Sequence, residues 1–363
     1  MNKQTDKWLL GIVLVLAVTG FFIFLSASLG LLVREDHRFS GIIFTQGVSL
    51  ILGICAMYVV SKIDSRLLKK YSLHVFIAGI AVTAAVFIQG FGVEHAGATR
   101  WLQVGSFSFQ PAEFLKLGFV LYFAAWLTAV KIKVQSFTHG LLPFFLLVGT
   151  VGAILLEQPD TGTFMVILAA ALAMFISSGA YWRHVFYLMF LTASGLSVLA
   201  YIRPYVMDRF LVFLNPVLDP QGVGYQIQQS LIAIGSGEIF GRGLGQSIQK
   251  FNYLPEPIGD SIFAVFSEEF GFIGGVFLIS VFVAFAFRGL AIARNTTDYF
   301  SRLTLVGIVI LITGQAFVNI GSMLGVFPLT GLPLPFVSHG GTALVFNFIA
   351  VGIALNISRY YRK

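Results

Sequence analysis

The side chains able to do chemistry in this 363-residue chain are few, and they cluster at the ends of long apolar runs. Asp260, in YLPEPIGDSIFAVFSEEFG, stands immediately before such a run. An ionised carboxylate at a hydrocarbon edge is costly unless it is paired or working. It could cap the helix that follows, accepting hydrogen bonds from the first free backbone amides, and it could act as a general base; the two uses are compatible. Glu113 and Lys116, in QPAEFLKLGF, are three residues apart and project from one helix face. Either they neutralise each other, or Lys116 reaches a carboxylate on another helix, such as Asp260. Glu268 and Glu269 follow Asp260 by about two turns, roughly 12 Å deeper. As neighbours they point to different faces, so at most one shares a cavity with Asp260. Arg100, Arg203, Arg209, Arg242 and Lys250 offer positive charge to an anion such as a pyrophosphate, or else pair with Asp208, Asp219, Glu238 and Glu256. Trp101, in GATRWLQVG, suits an aromatic belt at a membrane interface. The six histidines lack metal-ligand spacing, and the one cysteine, Cys55, sits inside an apolar run, so neither a zinc site nor a disulfide framework is expected.

The elements that must position these residues follow from composition. Charged residues make up 11% and hydrophobic residues 57% of the chain, and the mean hydropathy is +0.88. A soluble domain is about one-quarter charged. Spanning hydrocarbon takes about 20 mostly apolar residues per helix, and such segments fall near 8–32, 41–61, 72–91, 112–130, 140–156, 162–180, 185–202, 262–287, 303–326 and 340–357. The first is too long for a signal-peptide core and the next apolar stretch follows at once, so it reads as a helix. The chain is therefore expected to be an all-α integral membrane protein, a single unit over 1–363 with about ten spans and both termini on one side.

Charge sets the orientation. Alternate loops hold Lys3, Lys7, Lys62, Arg66, Lys69, Lys70, Lys131, Lys133, Arg183, Arg288, Arg294, Arg302, Arg359, Arg362 and Lys363, 15 of the 23 cations, with only Asp6, Asp64 and Asp298 of the 16 acids. The positive-inside rule makes that side cytoplasmic. This topology accounts for the net charge of +7, and no basic run with interleaved aromatics points to nucleic acid. On the outer side lie connections at about 92–111 and 203–261. The second is far longer than a hairpin needs, and long loops in compact proteins are usually functional. Its prolines and glycines predict turn-rich order with short helices, such as Gln226 to Ala233, lying on the bundle.

Five segments, GATRWLQVGSFSFQPAEFLKL, EQPDTGT, GVGYQIQQSLIAIGSGEIFGRGLG, YLPEPIGDSIFAVFSEEFGFIGG and FVNIGSMLGVFPLTGLPLPFVSHGGTALVFN, resemble in order and spacing the SEDS family (shape, elongation, division and sporulation) of bacterial peptidoglycan polymerases, FtsW and RodA. QSLIAIGSG and KFNYLPE look more like the division branch, FtsW, than the elongation branch, RodA. The resemblance covers nearly the whole chain and implies ten helices with a large outer loop between the seventh and eighth. It further implies a glycosyltransferase of the cytoplasmic membrane that polymerises lipid II, an undecaprenyl-pyrophosphate-linked disaccharide peptide, on the outer face. Asp260 matches the family's essential aspartate; Trp101 and Lys116 match positions around the same cavity, with Glu256 and Ser261 beside it. Pro257, Ile258 and Gly259 replace the common Ala-His-Thr, and His339 and Thr342 replace Tyr and Ser, which bears on loop conformation more than on the carboxylate. The pyrophosphate leaving group needs positive charge, from the outer arginines or from a divalent cation, magnesium or manganese. The implied partners are a class B penicillin-binding protein and other divisome or elongasome proteins. The rival readings are a lipid II flippase and an inactive scaffold. A flippase needs polar groups along a whole path, whereas ionisable residues here gather at the outer end.

Overall fold

A computed structural model describes residues 5–34, 39–88, 90–95, 98–104 and 107–359. Lys3, Arg362 and Lys363 of the expected cytoplasmic set lie outside the described residues. Twelve α-helices are present among these: α1 (Lys7–Ser28), α2 (Phe39–Val60), α3 (Ser65–Ala84), α4 (Pro111–Val130), α5 (Leu142–Glu157), α6 (Thr161–Ser177), α7 (Trp182–Ile202), α8 (Pro204–Leu214), α9 (Val223–Ser236), α10 (Ile262–Arg294), α11 (Tyr299–Met323) and α12 (Gly341–Ser358). All but α8 and α9 coincide with the ten expected spans. Nine are long and apolar enough to cross a membrane; α6 is apolar but has 17 residues, about 26 Å.

Local signals start the helices where the sequence turns apolar. Asp6, Asp160 and Asp298 accept hydrogen bonds from the amides of Leu9, Thr163 and Ser301, capping α1, α6 and α11, and Pro111 opens α4. In hydrocarbon, helices associate through close packing, which small residues permit. A β-carbon on Gly352 of α12 would fall 2.7 Å from the Met57 carbonyl oxygen of α2, and one on Gly118 of α4 would fall 3.1 Å from that of Val75 in α3. At the centre stands α11, in contact with α4, α6, α10 and α12.

The cytoplasmic end is tied by polar contacts. The Asp6 amide donates to Ser358 Oγ at 3.0 Å, Arg288 pairs with Asp6, and Asn356 Nδ2 donates to the carbonyls of Ser61 and Ile63. Both described ends of the chain therefore meet on one face. The outer end departs from pure helix. Within the expected loop 92–111 runs a three-stranded antiparallel sheet, β1 (Gly92–His95), β2 (Ala98–Val104) and β3 (Phe107–Phe109), with Trp101 opposite Val93. The 203–261 segment folds as α8, a 3₁₀ turn (Pro216–Leu218), α9 and a run of turns to Ser261.

One break interrupts α10. Gly271 adopts φ 66° and ψ −163°, backbone space that essentially only glycine enters. A β-carbon there would sit 2.4 Å from the Gly241 nitrogen, so the break also lets the 237–250 turns lie directly against the helix.

Candidate active site

Asp260 ends the turn-rich segment. The amides of Gly259 and Ser261 both donate to the Glu256 carbonyl, at 3.0 and 3.2 Å, curling the chain just before α10. The cap reading of Asp260 is corrected here: Ser261 occupies the N-cap position, and no side chain caps α10. The Asp260 carboxylate is left for other work. Gln226 of α9 donates through Nε2 to Asp260 Oδ1 at 3.1 Å and to Ser261 Oγ at 2.9 Å. From α11, Asn319 Nδ2 donates to the carbonyls of Asp260 and Leu332, both at 2.7 Å. The segment after α11 closes the ring: Ser338 Oγ donates to the Gly259 carbonyl at 2.6 Å, the His339 amide to that of Ile258 at 2.7 Å, and a β-carbon on Gly331 would lie 3.8 Å from Asp260 Oδ2. Burial, and then the charge of Glu256, push the Asp260 carboxyl up to about 7, against the opposing pull of Gln226 and Arg209.

A cationic wall faces this carboxyl. Arg209, on α8, lies within electrostatic range of Asp260, Asp160, Tyr205 and Arg100. Burial and the Arg100 guanidinium together lower its affinity for its own proton. Arg100, on β2, donates through Nε to the Gln158 carbonyl at 3.2 Å and through Nη2 to that of Pro159. Arg209 Nη1, Tyr205 Oη, Asp160 Oδ2 and Thr330 Oγ1 are each buried without a hydrogen-bond partner in the chain. Unsatisfied buried groups are costly; Tyr205 and Asp160 lie within electrostatic range of Arg209, and the unpartnered Arg209 Nη1 and Tyr205 Oη are donors that suit an anionic, oxygen-rich ligand.

The other expected residues divide. Lys116 is buried, its Nζ 2.8 Å from Glu113 Oε1 and 2.7 Å from Gln315 Oε1, with no contact to Asp260. Its influence passes through Gln315, whose Nε2 donates to the Pro333 carbonyl at 2.8 Å, two residues beyond Gly331. Half-buried Trp101 stays on the sheet, and Glu256, exposed, acts on Asp260 through its charge. Lys250 is corrected as an anion ligand, while Arg242 is partly exposed and paired. Lys250 is fully buried, with Nζ 2.7 Å from Glu269 Oε1, and Ser26 Oγ of α1 donates to the same carboxylate. Arg242 lies 3.5 Å from Glu268, which also accepts from Ser247 Oγ and from the amides of Ile248 and Gln249. Both glutamates thus anchor the 237–250 turns, and neither is bonded to Asp260. Of the departures, His339 stacks on Phe24 with centroids 5.8 Å apart, and Thr342 Oγ1 donates to the Ser108 carbonyl at 3.3 Å. Gln226, Asn319, Asp160 and Tyr205 were not among the expected site residues. For Asn319 a signal existed, since an amide within an apolar span needs a partner.

A helical bundle that places a carboxyl tuned to about 7 and two guanidiniums at its outer end has the parts of a membrane-embedded enzyme. The chain belongs to the Cell cycle protein family of FtsW, RodA and SpoVE, whose model matches residues 7–363, and it is a multi-pass protein of the bacterial cytoplasmic membrane. It is 38% identical over 366 residues to Stage V sporulation protein E of Bacillus subtilis, covering 99% of each chain. With the probable peptidoglycan glycosyltransferase FtsW of Geobacter metallireducens it shares 36% identity over 98% of this chain and 96% of that one. Its fold is similar to a chain in a structure showing coordination of polymerization and crosslinking by a peptidoglycan synthase complex (TM-score 0.81, 28% identity, 98% of each chain covered). FtsW-named relatives agree with the division-branch reading; the sporulation relative adds a third branch that the motifs had not brought into the comparison.

Proposed function

We propose that this chain, working as one membrane unit, is a peptidoglycan glycosyltransferase that polymerises lipid II into β-1,4 glycan strands on the outer face of the membrane, for septal synthesis. The observation that carries this is Asp260, a carboxyl without a capping role, tuned to about 7 within electrostatic range of Arg209. Asp260 takes the proton from the 4-hydroxyl of the acceptor's N-acetylglucosamine as that oxygen bonds to the donor's anomeric carbon. The bond from that carbon to the pyrophosphate oxygen breaks, and undecaprenyl pyrophosphate leaves with its electron pair. A base whose pKa lies near the working pH is worth about 10² to 10⁴ in rate. Arg209 and Arg100 stabilise the leaving charge.

A polar cavity would equally serve a flippase, but below Asp260 the buried polar side chains of α11, Gln315, Thr313 and Thr304, are neutral. The synthase-complex neighbour supports a crosslinking partner, a class B penicillin-binding protein. Purified protein with that partner and labelled lipid II tests the reading. Asp260→Asn abolishes the polymer ladder while the melting temperature stays at the wild-type value; a ladder of normal length removes Asp260 from the mechanism.

A further inference from the structure

A second site lies at the opposite, cytoplasmic end. Of the described side chains of α7, only His184, Val185 and Leu188 are buried, all within its first two turns. Beside those turns runs a largely apolar groove of about 350 Å³, lined by Phe137, Leu141, Phe145, His184, Tyr187, Phe190 and Leu191. His184 is 7% exposed, and its Nδ1 is buried with no hydrogen-bond partner in the chain. Tyr181 meets the ring edge-on at 5.9 Å and offers it no such bond.

The charge around the groove has one sign. Residues 131–145 and 178–191, which form its walls, hold Lys131, Lys133 and Arg183 and contain no Asp or Glu. The two stretches are joined where Gln135 Nε2 donates to the Gly179 carbonyl at 3.1 Å. Arg183 stacks on Tyr181 at 4.7 Å, which holds its guanidinium at the membrane boundary. Phe137, Phe190 and Leu191 are 61%, 74% and 49% exposed, so the groove opens toward hydrocarbon.

We infer that this groove holds an acyl chain of an anionic phospholipid from the cytoplasmic leaflet, whose phosphate oxygens are received by His184 and Arg183. An acyl chain matches the apolar walls. A phosphate supplies the missing partner of the imidazole, and basic side chains at this boundary favour an anionic headgroup over a zwitterionic one. The bound lipid fills the space where α7 leaves the bundle and so braces the base of the helix that leads, through Arg203, into α8 and Arg209.

Native mass spectrometry of the full chain, released from nanodiscs of equal phosphatidylglycerol and phosphatidylcholine, tests this. The wild-type protein retains phosphatidylglycerol with about a tenfold preference, the order expected when one or two basic side chains meet an anionic headgroup. Arg183→Ala and His184→Gln reduce the preference below about twofold. Leu191→Trp, an exposed position that tolerates a larger side chain, fills the groove and removes the retained lipid while the melting temperature is kept. Equal retention of the two lipids by the wild type, or unchanged retention by Leu191→Trp, overturns the inference.

Discussion

Replacing Gln226 by leucine isolates the tuning of Asp260. The change keeps the approximate volume of a side chain that touches both Asp260 Oδ1, at 3.1 Å, and Ser261 Oγ, at 2.9 Å. A hydrogen bond to a charged group is worth about 1.5 to 3 kcal/mol. The bond to Asp260 is the longer of two made by one nitrogen, so the lower end applies. One pKa unit corresponds to about 1.4 kcal/mol, which moves the carboxyl from about 7 to about 8. The donor stabilises the ionised form, so losing it raises the pKa, and a base that must be ionised loses activity on the acid side. At pH 7 the ionised fraction falls from about one-half to about one-eleventh, a loss of about fivefold in rate. At pH 9 both proteins are about nine-tenths ionised or more, and the loss nearly disappears. Initial rates of polymerisation from lipid II between pH 5.5 and 9.5 show this as a parallel shift of the acid limb. A Gln226→Leu protein that folds normally and is slow by the same factor at every pH refutes the assignment of Asp260 as the titrating base.

Three further outcomes test the supports of the site. Lys116→Met strands the buried Glu113 carboxylate and costs about 3 to 5 kcal/mol, seen as a lower melting temperature in detergent; Glu113→Gln added to it restores most of the loss, and a melt unaffected by Lys116→Met counts against the pair. Gly331→Ala places a side chain at φ +69°, 3.8 Å from Asp260 Oδ2, and costs about 1 to 2 kcal/mol of backbone strain; kcat falls with it, and a rate and melt equal to wild type would show that the 324–340 segment adapts freely. Lys250→Met leaves Glu269 buried without its cation, again about 3 to 5 kcal/mol, and hydrogen exchange in residues 237–250 accelerates; unchanged protection there would separate the turns from the Lys250 anchor.

The spans were legible because hydrocarbon imposes one rule on every crossing segment, and hydropathy reads that rule directly. The sheet at 92–109 was not. Its strands are three to seven residues long, they are interrupted by glycine, and they pair only because α3 and α4 bring their ends together. Asp260 stood out because charge at an apolar edge is rare. The same logic overreached for Lys250, since a cation on the outer face looks alike whether it meets a ligand or a buried glutamate. Lys116 shows the limit most plainly: its spacing from Glu113 was readable, whereas Gln315 lies 199 residues away and only packing joins them. Gln226 and Asn319, being neutral, offered no charge signal at all.

The pairing of Ser26 with Glu269 and Lys250 has a consequence for how the molecule is made. Ser26 leaves the ribosome 243 residues before Glu269, and Asp6 emerges 352 residues before Ser358. Helix α1 therefore has polar partners on helices inserted late in synthesis. Until then it sits beside lipid or an insertion chaperone without the partners that Glu269, Arg288 and Ser358 later provide. Contacts of such long sequence separation form slowly. Assembly of the bundle is thus a closing step, in which the late helices return to the first and lock it, and the 237–250 turns gain their fixed position against α10 only when that closure is complete.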